Sequence, residues 1–362
     1  MIFILFKIMK KKDERIVFKK KRRKKNINIL FYRLIKILSS LFIFLIFSLI
    51  LIKRLVSVKV NPKSNFKKSK MMNKEINIDK NLEKIKVCVC TLGKQENKYA
   101  REFVEHYKKY GVDKMYIYDN NDINGERFEE VLNDYIKSGF IEILDWRGKY
   151  LAMYPIMNDC YRKNSEFYDW LIFYEFDEFI HLSNYTNIKL FLNQTKYQKC
   201  QILYLNLVCH TDNNLLHYED KPLFERFPYR VPNHKKGSKK LEIKFIIQGG
   251  IKNVTIDNVH RCNTKLRNCN GYGYGHRFKY NVIYTTEPDT KNYYIDHFYC
   301  KSTEEFIGKL NKGDALRMSK EYTLERIIKY FEQSDYSDEK FNMIQKNVNF
   351  DLSKYKHLYS HL

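Results

Sequence analysis

The sequence predicts an α/β fold: a mixed, mostly parallel sheet flanked by helices, with a single transmembrane helix at the N-terminal side. Three observations predict it. Apolar runs of strand length alternate with helical periods between Lys86 and Ile180. One of those runs, Trp170-Leu-Ile-Phe-Tyr, passes straight into Glu175, Asp177 and Glu178. Sixteen residues without a charge, 37–52, follow a basic arm.

Residues 1–36 carry 14 Lys and Arg, unbroken from Lys19 to Lys25. Residues 37–52 are long enough to approach a membrane span if Lys36 lets its stem follow the apolar surface to the headgroups. A cleaved leader would have a shorter apolar core and a small-residue site after it, and neither is present. The preceding basic arm favours an N-terminus on the cytoplasmic side and a type II orientation. Residues 53–84 are Lys- and Asn-rich, lack an apolar period and read as a flexible stem.

A folded domain is expected over 85–330, with 331–362 as a tail. Lys86–Thr91 reads as a strand, and Glu96–Tyr110 as a helix with Tyr99, Phe103, Tyr107 and Tyr110 on one face and Gly111 as its stop. Lys114–Asp119 is a second strand. Glu126–Ser138 is a helix closed by Gly139, and Phe140–Leu144 a third strand. Tyr154–Ser165 is a helix, and the strand from Trp170 follows. That β-α-β-α-β-α-β order implies right-handed crossovers and a sheet covered on both faces. Beyond residue 200 the chain is strand-rich, at 201–209, 241–247, 280–285 and 293–300, with helices at 303–310 and 324–333.

The net charge of +24 invites a nucleic-acid reading until it is located. Residues 1–86 hold 25 basic and 5 acidic residues, which leaves 66 − 25 = 41 basic and 42 − 5 = 37 acidic residues in 87–362. The domain therefore carries a net charge of only +4, and no nucleic-acid partner is expected for it. Three N-glycosylation sequons, at Asn184, Asn193 and Asn253, are compatible with a lumenal domain. Cys88 and Cys90 alternate onto one face of a buried strand and read as free core thiols, while Cys262 and Cys269 flank a polar loop and could pair in an oxidising compartment.

Glu175 and Asp177 alternate onto one face at the carboxyl end of a strand, where open α/β sheets bind ligands. Paired carboxylates suit Mg²⁺ or Mn²⁺, ions that share their shell with substrate phosphates. On strand alternation Glu178 faces the other way. A strand end that simply turns polar at the surface explains the same residues without a ligand.

The order of motifs resembles glycosyltransferase family 92 of the GT-A superfamily. The resemblance runs over residues 86–320. It rests on Glu96, Arg101-Glu102-Phe, His106-Tyr, Gly111-Val-Asp, Ile117-Tyr-Asp-Asn120, Asp145-Trp146, Cys160, Trp170, Phe176-Asp-Glu-Phe-Ile180 and His297-Phe-Tyr-Cys-Lys-Ser302 followed by Glu304-Glu305-Phe. It implies a GT-A fold and an inverting hexosyltransferase in the Golgi or ER membrane, taking galactose from UDP-galactose to a glycan acceptor on a glycoprotein or glycolipid. It also implies a divalent metal, Mn²⁺ ahead of Mg²⁺, held by Glu175, Asp177 and His297, with Lys94, Glu96, Asp119 and Asn120 at the nucleotide. The chain departs from the family pattern in three places. Glu175 replaces the usual Asp, Gln95 the usual Asn, and the helix at Tyr154-Pro155 lacks the expected amide.

The general base falls to one of Asp257, Asp289 and Asp296, among which the sequence does not choose. Gly271-Tyr-Gly-Tyr-Gly275 could close as a lid over a sugar, or be a plain turn. Lys244, alone in an apolar strand, could reach a diphosphate. Two other function classes fit the same features: an inactive membrane scaffold or lectin-like protein on this fold, and a protein binding nucleic acid or anionic lipid through residues 7–25.

Overall fold

A computed structural model describes residues 85–231, 241–260, 262, 266–275, 284–285, 289–312 and 320–358. All belong to one unit, Ile76–Leu362. The arm, the apolar stretch 37–52 and the stem lie outside the described residues, and no described helix is long and apolar enough to cross a membrane.

The first half follows the expected alternation. β1 (Val87–Gly93), α1 (Asn97–Lys109), β2 (Lys114–Asp119), α2 (Glu129–Lys137), β3 (Ile141–Asp145), α3 (Met153–Asn164) and β4 (Trp170–Phe173) appear in that order. β3, β2, β1 and β4 lie side by side and parallel, with Gly93, Asp119 and Asp145 level at their carboxyl ends. Alternate residues of β1 and β4 serve two cores, because successive side chains of a strand point to opposite faces. Val87, Val89, Trp170 and Ile172 meet α1 residues such as Phe103 and Tyr107, while Cys88, Cys90, Leu171 and Phe173 meet α3 residues such as Ile156 and Met157.

The expected strand over 170–180 is two strands. β4 ends at Phe173, a turn follows, and β5 (Glu178–Leu182) begins with new pairing. The rest comprises α4 (Ile188–Leu192), β6 (Ile202–Cys209), α5 (Leu223–Arg226), β7 (Leu241–Gln248), β8 (Asn268–Asn270), β9 (Tyr284–Thr285), β10 (Tyr293–His297), α6 (Thr303–Asn311), α7 (Lys320–Gln333) and α8 (Asp338–Lys346). The sheet order is β3-β2-β1-β4-β7-β6-β10-β5, with β8 on β6 and β9 on β7. β7 runs antiparallel to both β4 and β6, and β5 antiparallel to β10, so the sheet is mixed.

That order bends the sheet. Three strands separate β4 from β5, about 19 Å across a flat sheet at about 4.8 Å per strand. The link from Phe173 to Glu178 reaches about 18 Å only if fully extended, and it contains a hydrogen-bonded turn, Glu178 N–H to Glu175 O at 2.9 Å. The sheet must curl to bring the start of β5 beside the end of β4, and the acidic turn joins the two at the carboxyl end of β4.

The cysteine expectations are corrected. Cys90 is bonded to Cys160, which ties β1 to α3, and Cys269 to Cys200. Cys88 stays a buried thiol. Cys262 instead directs its Sγ at Thr255 O. Sequence spacing could not show these pairings because each joins segments about seventy residues apart. The expected domain end at 330 falls inside α7. Phe331, Phe341, Ile344 and Leu352 continue the core around Phe306 and Tyr330, and the buried Lys340 ammonium lies 2.6 Å from buried Asp212.

Candidate active site

Two anchors place the turn between β4 and β5. Phe176 points down onto Gly93 at the end of β1. A Cβ on Gly93 would stand 2.6 Å from the Phe176 ring and 2.5 Å from that of Phe128, so only glycine fits there. Tyr107 Oη donates to Glu178 O at 2.8 Å and accepts from Ile180 N–H at 3.2 Å. The turn therefore takes its position from β1 and α1, and the chain through Glu175, Asp177 and Glu178 is held at the carboxyl ends of the parallel strands.

With β4 ended at Phe173, strand alternation no longer governs Glu178. Its Oε2 accepts from Glu175 N–H at 3.1 Å, and its Oε1 lies 3.0 Å from the Lys244 ammonium. Asp177, Glu178 and His297 are buried and offer ligand atoms all within 4.8 Å of one another. His297 Nε2 is 3.7 Å from Asp177 Oδ1, and its Nδ1 is 3.8 Å from Cys209 Sγ. Glu175 turns aside: its Oε1 accepts from Lys244 Nζ at 2.5 Å. The structure thus brings Asp177 and His297 together with Glu178, the carboxylate that strand alternation had pointed away, and sets Glu175 at the edge of the group.

Lysines dominate the electrostatics. Lys309, from α6, donates to Asp177 Oδ2 at 2.9 Å, and the Lys301 ammonium is 3.6 Å from the same oxygen. Burial works to raise the Asp177 pKa, but these ammonium groups outweigh it and hold the carboxyl well below its ordinary range. Burial also opposes ionisation of Glu175, and Lys244 overrides it to hold the group at about 2. Glu178 goes the other way: burial, with Glu175 and Asp177 alongside, pushes it up to about 8 despite Lys244. Burial lowers His297 to about 3, so the ring is neutral and can act as a ligand.

Two carboxyl groups and a neutral imidazole in one buried cluster make a donor set that can hold a divalent metal ion once Glu178 gives up its proton. Glu178 Oε1 is buried and accepts no hydrogen bond of good geometry among the described residues. Asp177, Glu178 and His297 are therefore the residues that would hold a divalent ion.

The residues expected at the nucleotide cluster at the ends of β1 and β2. Asp119 Oδ1 accepts from Asn121 N–H at 3.0 Å, and burial raises the Asp119 pKa. Asn120 Nδ2 donates to Trp146 O and Lys149 O, both at 2.9 Å, which shapes the loop after β3. Lys94 Nζ is 2.7 Å from Asp122 Oδ1. Glu96 accepts from Lys312, which also donates to Lys94 O at 2.9 Å. Lys301 links this group to the acidic turn, standing between Glu96 and Asp177.

Sequence reasoning missed Lys301, Lys309 and Lys312. The available signal was the capping box Ser302–Glu305, which fixes the start of α6, combined with lysines at helical spacing beyond it. Two of the three candidate bases have structural duties. Asp289 caps its own turn by accepting from Lys291, Asn292 and Tyr293 N–H. Asp296 is buried against His210 Nε2 at 2.7 Å, on the face of β10 opposite His297. Asp257 is exposed. In the Gly/Tyr loop, Gly271 packs on Tyr293, at the far end of β10 from His297.

The sequence profile of glycosyltransferase family 92 matches residues 83–299. A family 92 protein of Oryza sativa subsp. japonica is 28% identical over 128 residues, which is 34% of this chain and 21% of that protein. One of Ricinus communis is 23% identical over 128 residues, 34% of this chain and 22% of the relative. The match therefore spans about a fifth of each plant protein. Among solved structures, S. aureus TarS 1–349 aligns over 75% of this chain and 77% of its own, at 8% identity and a TM-score of 0.33. The same protein in complex with UDP aligns over 76% and 75%, at 10% identity and a TM-score of 0.33. These structural likenesses are too distant to bear on mechanism. The profile match covers more than half of the sequence, and the chain belongs to glycosyltransferase family 92.

Proposed function

We propose that this protein is a glycosyltransferase that moves a hexose from a nucleoside-diphosphate donor to a glycan hydroxyl. The observation that carries the reading is the buried group Asp177, Glu178 and His297 at the carboxyl ends of the parallel strands, in a member of this family. A divalent ion bound by those three residues would supply charge stabilisation to a departing diphosphate. Asp177 is ionised and positioned from both sides, the neutral His297 ring offers Nε2, and Glu175 is restrained by Lys244 at the rim. Asn120 orders the loop after β3, at the end of the crevice where a nucleoside would lie. UDP-galactose is the proposed donor, with inversion at the transferred carbon and a glycoprotein or glycolipid acceptor. Mn²⁺ is the proposed ion, from the mixed oxygen and nitrogen donor set.

We further propose a type II membrane topology in the Golgi or ER, with residues 37–52 as the span. In support, all three sequon asparagines, Asn184, Asn193 and Asn253, are solvent-exposed. Protease digestion of sealed microsomes should leave the C-terminal domain protected.

The reading is tested by calorimetry on the full chain. UDP should bind, and should bind more tightly with Mn²⁺ than with chelator, because an ion that touches both partners couples their binding. If neither UDP nor any UDP-sugar binds at millimolar concentration, the transferase reading is wrong.

A further inference from the structure

We propose that Lys301 is a phosphate-binding residue whose ammonium receives the diphosphate of the donor, with Lys309 beside it. The proposal rests on the transferase reading and adds to it the residue that recognises the leaving group.

Three observations converge on Lys301. Its backbone has φ +53°, in the left-handed region that a long side chain rarely adopts. Its side chain is 5% exposed. Its ammonium is 3.6 Å from Asp177 Oδ2, 3.8 Å from Glu96 Oε2 and 4.0 Å from the centre of the Tyr99 ring, and among the described residues it makes no hydrogen bond. Both carboxylates are beyond the reach of a good N–H···O bond, about 2.7–3.2 Å. Glu96 Oε2 is equally without a hydrogen-bond partner among the described residues.

A lysine ammonium has three donors, and leaving them unbonded in a buried position is costly. The neighbouring lysines show the alternative, since Lys309 is bonded to Asp177 at 2.9 Å and Lys312 to Lys94 O at 2.9 Å. Lys301 is held by a strained backbone just short of both of its acids. Balancing the charge of Glu96 and Asp177 does not require this, because Lys309 and Lys312 already bond those two carboxylates directly. The geometry instead leaves the donors of Lys301 without a hydrogen bond among the described residues, between Glu96 and Asp177 of the acidic turn. A ligand that satisfies them carries several acceptor oxygens and negative charge, which is the chemistry of a diphosphate. Asp177 divides the site, with Oδ1 toward His297 and Oδ2 toward Lys309 and Lys301.

The test is calorimetry on the full chain with UDP, UMP and uridine, in chelator and in Mn²⁺. The variants are Lys301→Gly and Lys301→Asn, because both residues accept positive φ and so preserve the backbone. Thermal unfolding without ligand verifies that each variant folds. The expected result is a loss of UDP affinity of about 10–100-fold, the scale of one hydrogen bond to a charged group. Uridine affinity should not change, UMP should lose less than UDP, and Lys301→Arg should retain UDP binding. Wild-type affinity for UDP should also fall with added salt more steeply than that of Lys301→Gly. If wild type binds UDP and both variants bind it equally well, Lys301 is not a phosphate ligand although the transferase reading stands. If the variants lose UDP and uridine in equal proportion, the role of Lys301 is structural. If wild type binds no UDP, the transferase reading fails and the assignment fails with it.

Discussion

Glu305→Gln is the sharpest test of how the site is supported. Glu305 lies in the first turn of α6, the helix that carries Lys309 to Asp177. Its Oε2 accepts from Arg226 Nη1 at 2.7 Å, from Ser302 N–H at 3.0 Å and from Ser302 Oγ at 2.6 Å, and its Oε1 accepts from Tyr99 Oη at 2.5 Å. Both partners of the Arg226 pair are 1% exposed. Burial alone would raise the Glu305 pKa, but the hydrogen bonds from Arg226, Ser302 and Tyr99 outweigh it and bring it from 4.5 to about 2. At about 1.4 kcal/mol per unit, the depression corresponds to about 3 kcal/mol of stability. Breaking a buried ion pair from one side costs about 3–5 kcal/mol by a separate route. The two figures agree, and the amide, which keeps the shape and removes the charge, should lose about 3 kcal/mol at pH 7. The sign follows from the direction of the shift. A depressed carboxyl contributes fully above its unfolded value near 4.5 and loses that contribution as pH falls toward 2. Urea unfolding of wild type and Glu305→Gln at several pH values reads both features. A loss below about 1 kcal/mol at pH 7, or a gap that stays constant down to pH 3, would refute the reasoning.

Three further outcomes are expected. Asp177→Ala should slow sugar transfer by about 10²–10³, the usual scale for one lost charge-stabilising group, and a wild-type rate would remove Asp177 from the site. His106 is half-buried, donates from Nε2 to Ile180 O at 2.9 Å, and is lowered by desolvation to about 4. The unfolded chain takes up that proton near 6.5, so stability should fall as pH drops from 6.5 to 4, by up to about 3 kcal/mol; in His106→Phe this pH dependence should flatten, as urea midpoints at pH 7 and pH 5 would show. Cys269→Ala opens the bond to Cys200 across 69 residues and should cost about 2–4 kcal/mol, whereas an unfolding midpoint that matches wild type under non-reducing conditions would count against the pairing.

By itself the sequence determined what local pattern encodes. β2 at Lys114–Asp119 coincides with its expected span, and α1, α2, α3 and β6 begin and end within a few residues of theirs. Such elements are written in apolar period and in stop signals such as Gly111 and Gly139, both of which take positive φ. The acidic motif was legible for the same reason, as an abrupt change from apolar to charged within a few residues. Tertiary structure alone decided which carboxylates face the site. A turn at Glu175–Glu178 resets the alternation, so Glu178 joins Asp177 while Lys244, from a strand seventy residues away, draws Glu175 aside. It also decided the partners of Cys90 and Cys269 and the convergence of Lys301, Lys309 and Lys312 on Glu96 and Asp177. These contacts join residues far apart in sequence, and no periodicity records them. They arise because the sheet curls until the start of β5 stands at the end of β4, which brings β7, β10 and α6 around one small region of low dielectric, where the pairing of each charge is settled by distance.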